Sequence, residues 1–142
     1  MAKAVFPVCI EEETMANFKI ITNNPMAAAK YSQPAVFLNT NPQGIFIACR
    51  DAVHQGCVLI SHPLSGSIKP NESPYKSIVI SDKKTGLDHE SLQIIESALN
   101  VVKKLRVKNI RYSADALNDF QVIDLDLLDS AIFDLPSGYH LN

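Results

Sequence analysis

A chain of 142 residues, 46% of them apolar, is long enough to form one domain with a hydrophobic core and too short to favour two. Its formal net charge of -2, with acidic and basic residues interspersed, argues against a nucleic-acid or anionic-membrane partner. No apolar run approaches the ~18 residues of a membrane helix, and the acidic run at 11–13 interrupts any secretory pattern, so we expect a cytoplasmic protein.

The first predicted elements are a short strand and a helix, joined by a tight turn. FKIIT at 18–22 is a β-branched run typical of a strand, and it ends at Asn23-Asn24-Pro25. Asn24 is predicted to cap the helix, because its side-chain oxygen can accept a hydrogen bond from a backbone N–H that has no other partner. Pro25 suits the first helical position, where its missing N–H costs nothing.

A second strand and helix repeat this chemistry. AVFL at 35–38 predicts a strand, Asn41 before Pro42 predicts the cap of a second helix, and Gly56 marks the end of that helix. CVLIS at 57–61 is a continuous apolar run, which is typical of a strand covered on both faces. We therefore predict a third strand there.

The second half of the chain predicts two more strands. SIVIS at 77–81 is the fourth, and the long connection before it allows either a parallel or an antiparallel direction. FQVID at 120–124 is the fifth, between a short helical segment that begins at Ser113 and a final helix. Asp88 is predicted to cap a long helix whose two apolar stripes fit either deep burial or contact with another subunit.

The alternation of strands and helices predicts an α/β fold. We expect a single-domain three-layer sandwich, in which a largely parallel sheet of four to five strands carries helices on both faces, as in Rossmann-like proteins. Right-handed crossovers would place the first strand between the second and the third. The domain is expected to span 18–133, with an N-terminal arm at 1–17 and a C-terminal tail at 134–142. An apolar arm that packs on a neighbouring subunit would favour a homodimer.

One long polar connection is a candidate for part of a ligand-binding site. The segment SHPLSGSIKPNESPYKS at 61–77 is longer than most connections inside compact domains and contains three prolines, which indicates a stiff rim over a ligand crevice. Ligands of open α/β sheets bind beyond the carboxyl ends of the strands, where the strand order reverses. The asparagine turn after the first strand and this segment after the third are therefore expected to meet in one crevice.

The polar residues of the rim predict that this crevice binds an anion. Ser65-Gly66-Ser67 can turn successive N–H groups toward one point, while Lys69 and Lys76 add positive charge. A metabolite with a carboxylate or phosphate group is the expected ligand. The alternative is that these residues form an ordinary solvated turn with two surface lysines. The predicted ligand-binding residues are Asn23, Asn24, Ser65, Gly66, Ser67, Lys69, Asn71, Glu72, Tyr75 and Lys76.

His62 is the candidate catalytic residue, because a neutral imidazole at the end of a strand can act as a general acid or base near pH 7. A structural role, bonding the loop backbone, explains it equally well. Walker, G-x-G-x-x-G, H-E-x-x-H and nucleophile-elbow motifs are absent, which argues against nucleotide hydrolases, dinucleotide enzymes, zincins and serine hydrolases. The three cysteines lack C-x-x-C spacing, and neither a metal nor a cofactor is predicted.

Three stretches of the chain resemble the GrdX family: ITNNP at 21–25, HPLSGSIKPNESPYKS at 62–77 and DFQVIDLDLL at 119–128. The resemblance covers 18–132 and implies a cytoplasmic protein encoded beside the glycine, sarcosine and betaine reductase components of anaerobic bacteria that ferment amino acids. It carries over no catalytic residue. Two functions stay open: binding of a small anionic metabolite of this metabolism, or a non-catalytic accessory or assembly role that contacts the reductase components.

Overall fold

The structure, a computed structural model, describes residues 16–65, 72–105 and 110–141. Within these ranges the chain forms three strands and four helices: β1 (Phe18–Thr22), α1 (Pro25–Lys30), β2 (Ala35–Phe37), α2 (Pro42–His54), β3 (Ser77–Ser81), α3 (His89–Lys104) and α4 (Ala114–Phe133). None of the helices in the described ranges is both long enough and apolar enough to span a bilayer.

The helices begin at the residues that the sequence predicts. In each case a short polar side chain accepts a hydrogen bond from a backbone N–H of the first turn, which would otherwise have no partner. The four capping residues are Asn24 for α1, Asn41 for α2, Asp88 for α3 and Ser113 for α4. The predicted caps Asn24, Asn41 and Asp88 are confirmed, as is the start of a helix at Ser113, because capping depends on residues only two or three positions apart.

The sheet differs from the prediction in size and direction. Its strand order is β2-β1-β3, with β1 and β2 parallel and with β3 antiparallel to β1. Thr22, the last residue of β1, lies opposite Ser77, the first residue of β3. The prediction of a Rossmann-like three-layer sandwich with four to five largely parallel strands is therefore wrong. The chain folds back on itself, so that β3 occupies the place beside β1 that was expected for the third strand.

The predicted third strand, at 57–61, forms only a single bridge, between Leu59 and Ile80 of β3. Serine side chains take several of the hydrogen bonds that a regular ladder would make. The N–H of Val58 donates to Ser81 Oγ at 2.7 Å, and the N–H of Leu59 donates to Ser91 Oγ at 2.9 Å. Because side chains satisfy these backbone groups, the segment lies along β3 without completing a strand.

The predicted fifth strand, at 120–124, is part of the 20-residue helix α4. Its β-branched residues Val122 and Ile123 are 46% and 56% exposed, whereas Asp124 and Leu128, one helical turn apart, are buried. The run of apolar residues predicted a strand. The prediction failed because β propensity is a weak guide, and tertiary packing decides which side chains of a segment are buried.

Two hydrophobic clusters lie on opposite faces of the sheet. On one face, Ile78 and Ile80 pack with buried residues of α2 and α3. On the other face, Val79 packs with Ala27 of α1 and Leu128 of α4. Successive side chains of a strand point to opposite faces, so three consecutive residues of β3 serve both clusters. This alternation also decides which residues reach the site described next.

Candidate functional site

Polar side chains meet where β1 ends and β3 begins. Because the two strands are antiparallel, these ends lie at the same edge of the sheet, and Thr22 Oγ1 and Ser77 Oγ are 2.7 Å apart. Thr22 Oγ1 also accepts a hydrogen bond from the backbone N–H of Asn24 at 2.9 Å. The hydroxyls thus replace the apolar side chains found further along the same face.

Asp124 of α4 completes this group, which we call the Asp124 cluster: Thr22, Asn24, Ser77 and Asp124. The aspartate is 7% exposed, and its Oδ2 accepts hydrogen bonds from Ser77 Oγ at 2.7 Å and from Asn24 Nδ2 at 3.0 Å. Its Oδ1 accepts no hydrogen bond from the described residues. The Asn24 side chain is fully buried and also caps α1, so the position of Asp124 is tied to the start of that helix.

The Asp124 cluster borders a cavity of about 190 Å³ between the sheet edge and α4, which we call the Asp124 cavity. Its polar lining consists of Ser61, His62, Ser65, Lys76, Ser77, Asp124, Ser130 and Asp134. Larger concavities of about 750 and 630 Å³ lie elsewhere on the described chain, and neither is lined by Lys76 or Asp124. The Asp124 cavity is the stronger candidate, because it contains a buried carboxylate and a half-buried lysine. Burying charged groups costs free energy, and such groups are common at functional sites.

Lys76 supplies the positive charge of the cavity. It directly precedes β3 and is half-buried, and its Nζ lies 5.9 Å from the centroid of the Phe46 ring. Burial lowers the pKa of Lys76 from its ordinary value of 10.5, and the negative charge of Asp124 opposes this shift. The lysine is therefore held in a partly apolar setting, where its charge interacts more strongly with another charge than it would in water.

Asn23 joins the turn after β1 to the end of the long connection. Its Nδ2 donates to the carbonyl oxygens of Thr40 at 2.7 Å and Pro74 at 2.9 Å, and its Oδ1 accepts from the N–H of Lys76 at 2.8 Å. The side chain is 7% exposed and all of these contacts are with backbone groups. Asn23 thereby positions Lys76 at the edge of the sheet.

The loop after 57–61 contributes His62 and Ser65 to the cavity lining. The imidazole Nδ1 of His62 accepts a hydrogen bond from the N–H of Leu64 at 3.1 Å, which assigns the proton of a neutral ring to Nε2. The ring is exposed, and Nε2 is the nitrogen that could donate to a ligand. Within the described ranges, no group of three or more His, Cys, Asp or Glu side chains is arranged to hold a metal ion.

Comparison with known protein families gave one matching family model. The family model described as GrdX-like protein matches residues 19–133, from the second residue of β1 to the last residue of α4. This chain belongs to the GrdX-like protein family. No curated protein and no solved structure gave a significant match.

This GrdX-like chain brings several of the predicted site residues together. Lys76, Ser65 and His62 line one cavity, and Asn23 and Asn24 hold its edge through contacts inside the protein. The predicted convergence of the asparagine turn with the end of the long connection is present in these contacts. Whether any of these residues binds a ligand stays a prediction.

Glu72 and Tyr75 lie beside the Asp124 cavity of the GrdX-like chain without lining it. The carbonyl oxygen of Glu72 accepts a hydrogen bond from Tyr112 Oη at 2.9 Å, and Tyr75 Oη accepts one from Gln121 Nε2 of α4 at 2.9 Å. These contacts join the end of the connection to α4 and to Tyr112, which precedes that helix. The predicted residues Gly66, Ser67, Lys69 and Asn71 lie outside the described residues.

The sequence interpretation missed the residue at the centre of this GrdX-like site. Asp124 was placed at the end of a strand, and Ser61 and Ser77 were treated as strand boundaries. One signal was present: Asp124 lies four positions before Leu128, so on a helix a carboxylate shares the buried stripe with a leucine. A charged residue on an apolar stripe is a candidate for function, because burying it is costly.

Proposed function

We propose that this GrdX-like protein binds a small carboxylate metabolite in the Asp124 cavity. The observation that supports this most directly is the half-buried ammonium group of Lys76, which lines the cavity beside Ser61, Ser65 and His62. In a partly desolvated setting, a lysine attracts a single negative charge more strongly than on an open surface. Serine hydroxyls and the Nε2–H of a neutral imidazole supply hydrogen bonds to the carboxylate oxygens.

Charge favours a carboxylate over a phosphate. Asp124 and Asp134 border the same cavity, so a dianionic phosphate would meet one lysine and two carboxylates of like charge. A carboxylate with a single charge matches Lys76 and is repelled less. Size is consistent with this choice, because about 190 Å³ corresponds to roughly six waters at ~30 Å³ each, which suits a small metabolite better than a nucleotide.

The metabolic setting of the proposal comes from the resemblance to proteins encoded beside amino-acid reductase components. The proposed ligand is then a carboxylate of glycine or related amino-acid metabolism. Proton transfer by His62 stays a prediction, and binding as proposed does not require it.

Ligand-induced thermal stabilisation tests this proposal. The purified protein is melted with a panel of small carboxylates and with inorganic phosphate, and a ligand at ~100 times its Kd stabilises by about 2.7 kcal/mol. We expect at least one carboxylate to raise Tm, and we expect Lys76→Ala to remove the shift. Lys103→Ala is the matched control, because Lys103 is exposed at the end of α3. If no carboxylate raises Tm, or if Lys76→Ala leaves the shift intact, the proposal is wrong.

A second candidate function is an accessory role in assembly with reductase components. It is favoured by apolar side chains that α4 exposes: Ile123 is 56% exposed and Phe133 is 89% exposed. Exposed apolar groups of this size on one helix are common where proteins bind partners. In a pull-down from a lysate of a glycine-fermenting bacterium, we expect reductase components to be recovered and Ile123→Asp to release them. Failure to recover them counts against this candidate.

A further inference from the structure

The two oxygens of the Asp124 carboxylate have different surroundings. Oδ2 accepts hydrogen bonds from Ser77 Oγ and Asn24 Nδ2, whereas Oδ1 accepts none from the described residues. The side chain is more than nine-tenths buried and lines the Asp124 cavity. Among the described residues no buried side-chain oxygen lacks a hydrogen-bond partner, so Oδ1 is accessible to solvent, and water or a ligand that enters the cavity can donate an N–H or O–H to it.

The cavity carries charges of both signs. Lys76 is positive, Asp124 and Asp134 are negative, and the charge of Asp124 favours the protonated form of Lys76. A ligand with only a carboxylate would pair with Lys76 and leave Asp124 Oδ1 without a donor. A ligand with only an amine would satisfy Asp124 and would be repelled by Lys76. A ligand that carries both groups satisfies both side chains.

We propose that the ligand of the Asp124 cavity is a zwitterionic α-amino acid, whose ammonium N–H donates to Asp124 Oδ1 and whose carboxylate pairs with Lys76. This inference rests on the proposed function and adds the ligand's second charged group and its class. Asp124 thereby becomes a specificity-determining residue, and Asn24 and Ser77 become positioning residues that hold it through Oδ2.

The remaining wall of the cavity indicates the kind of side chain that fits. Leu127, Leu128 and Ala131 of α4 line it beyond Asp124, together with Ser130 and Asp134. This wall favours a small or aliphatic amino-acid side chain over an acidic one, because a second carboxylate on the ligand would lose hydration there and would meet the like charge of Asp134.

Calorimetric titration of the wild-type protein tests the inference on the ligand side. The probes are the common L-α-amino acids and glycine, each paired with the carboxylic acid in which hydrogen replaces the amine, such as alanine with propionate or leucine with 4-methylpentanoate. We expect at least one amino acid to bind tenfold or more tightly than its partner acid, from a hydrogen bond between two charged groups. If every carboxylic acid binds as tightly as its amino acid, the inference is overturned.

Asp124→Asn tests the inference on the protein side. The amide keeps the shape of the carboxylate and an oxygen acceptor for Ser77 and Asn24, but it lacks the negative charge. We expect the preference for the amino acid to fall to about twofold or less, while the partner acid binds at least as tightly as in the wild type because a like charge is removed. Asp126→Asn, at an exposed position of the same helix, should leave the preference unchanged. A preference that survives in Asp124→Asn overturns the inference.

A third probe covers the case in which Asp124→Asn does not fold, as judged by circular dichroism. The N,N,N-trimethyl derivative of the best amino acid keeps the positive charge but has no N–H donor. In the wild-type protein we expect it to bind at least tenfold more weakly than the parent amino acid, and equal affinity overturns the inference. The two proposals fail separately: binding of carboxylates without any preference for an amine overturns only this inference, whereas no binding by either class overturns the proposed function too.

Discussion

The two faces of the sheet differ in what they bury. Against α2 and α3 the buried residues are mostly apolar, with Ile45 and Val53 fully inaccessible and Ser91 of α3 as a buried hydroxyl. Against α1 and α4 the apolar cluster gives way, at the edge of the sheet, to Thr22, Asn24 and Asp124. Both faces are built from the same strands, because neighbouring residues of a strand point in opposite directions.

We expect substitutions on the two faces to have different effects. The face against α2 and α3, which we call the dry face, gains stability from burial of apolar area, which is lost when a side chain is shortened. The face against α1 and α4, which we call the wet face, also buries polar groups that need hydrogen bonds, and the Asp124 cavity lies beside them. Substitutions on the dry face should therefore change stability alone, whereas those around Asp124 should change ligand recognition as well.

The largest expected effect is on the dry face. Ile45→Ala should lower the free energy of unfolding by about 2 to 5 kcal/mol, because Ile45 is fully buried and the shortened side chain leaves a cavity. Ile123→Ala is the matched control, since Ile123 lies on a helix and is 56% exposed, and it should change stability by less than about 1 kcal/mol. Urea denaturation followed by circular dichroism measures both. Equal losses in the two variants would contradict the assignment of the dry core.

A smaller loss of stability is expected on the wet face. Asp124→Ala removes the acceptor for Ser77 Oγ and Asn24 Nδ2 and should cost about 2 kcal/mol, because it leaves the fully buried Asn24 with an unsatisfied donor. Asp126→Ala, at an exposed position on α4, should stay within about 0.5 kcal/mol of the wild type. The same denaturation assay applies. An Asp124→Ala variant as stable as the wild type would show that these hydrogen bonds contribute nothing net.

The smallest expected effect concerns pH. Burial lowers the pKa of Lys76 below its ordinary 10.5, so the ammonium loses its proton at a lower pH than an exposed lysine does. Affinity for a carboxylate should then fall by up to about tenfold per pH unit as pH rises above this lowered pKa. Calorimetric titrations between pH 7 and 10.5 measure this dependence. A flat affinity up to 10.5 would mean that the charge of Lys76 does not contribute to binding.

Stability of the ligand-free protein should respond to Lys76 in the opposite direction. Between the lowered pKa in the folded state and 10.5 in the unfolded state, the unfolded chain binds more protons. The contribution of Lys76 to stability therefore rises with pH in that window. The difference in unfolding free energy between the wild type and Lys76→Met isolates this contribution from Tyr31 and Cys49, whose pKa values burial raises.

The sequence predicted the starts of helices well, but it predicted poorly which segments pair as strands in the sheet. The capping roles of Asn24 and Asp88 are confirmed, because a cap and its partner are neighbours along the chain. The fifth strand was wrong because a short apolar run fits a strand and a helix equally, and only packing against the rest of the molecule selects between them. The prediction of a regular third strand was wrong because serine side chains, including Ser91 from α3, take some of its backbone hydrogen bonds.

By itself, the sequence determined where the helices begin, which segments form β1 and β3, and that the chain resembles the GrdX family. Each of these depends on residues close together in the chain. Tertiary structure alone decided that β3 turns back beside β1 and that Asp124 becomes the centre of the site. Its two partners, Ser77 and Asn24, are 47 and 100 residues away along the chain. Contacts over such distances arise only from how the helices pack on the sheet, because no local pattern of residues encodes them.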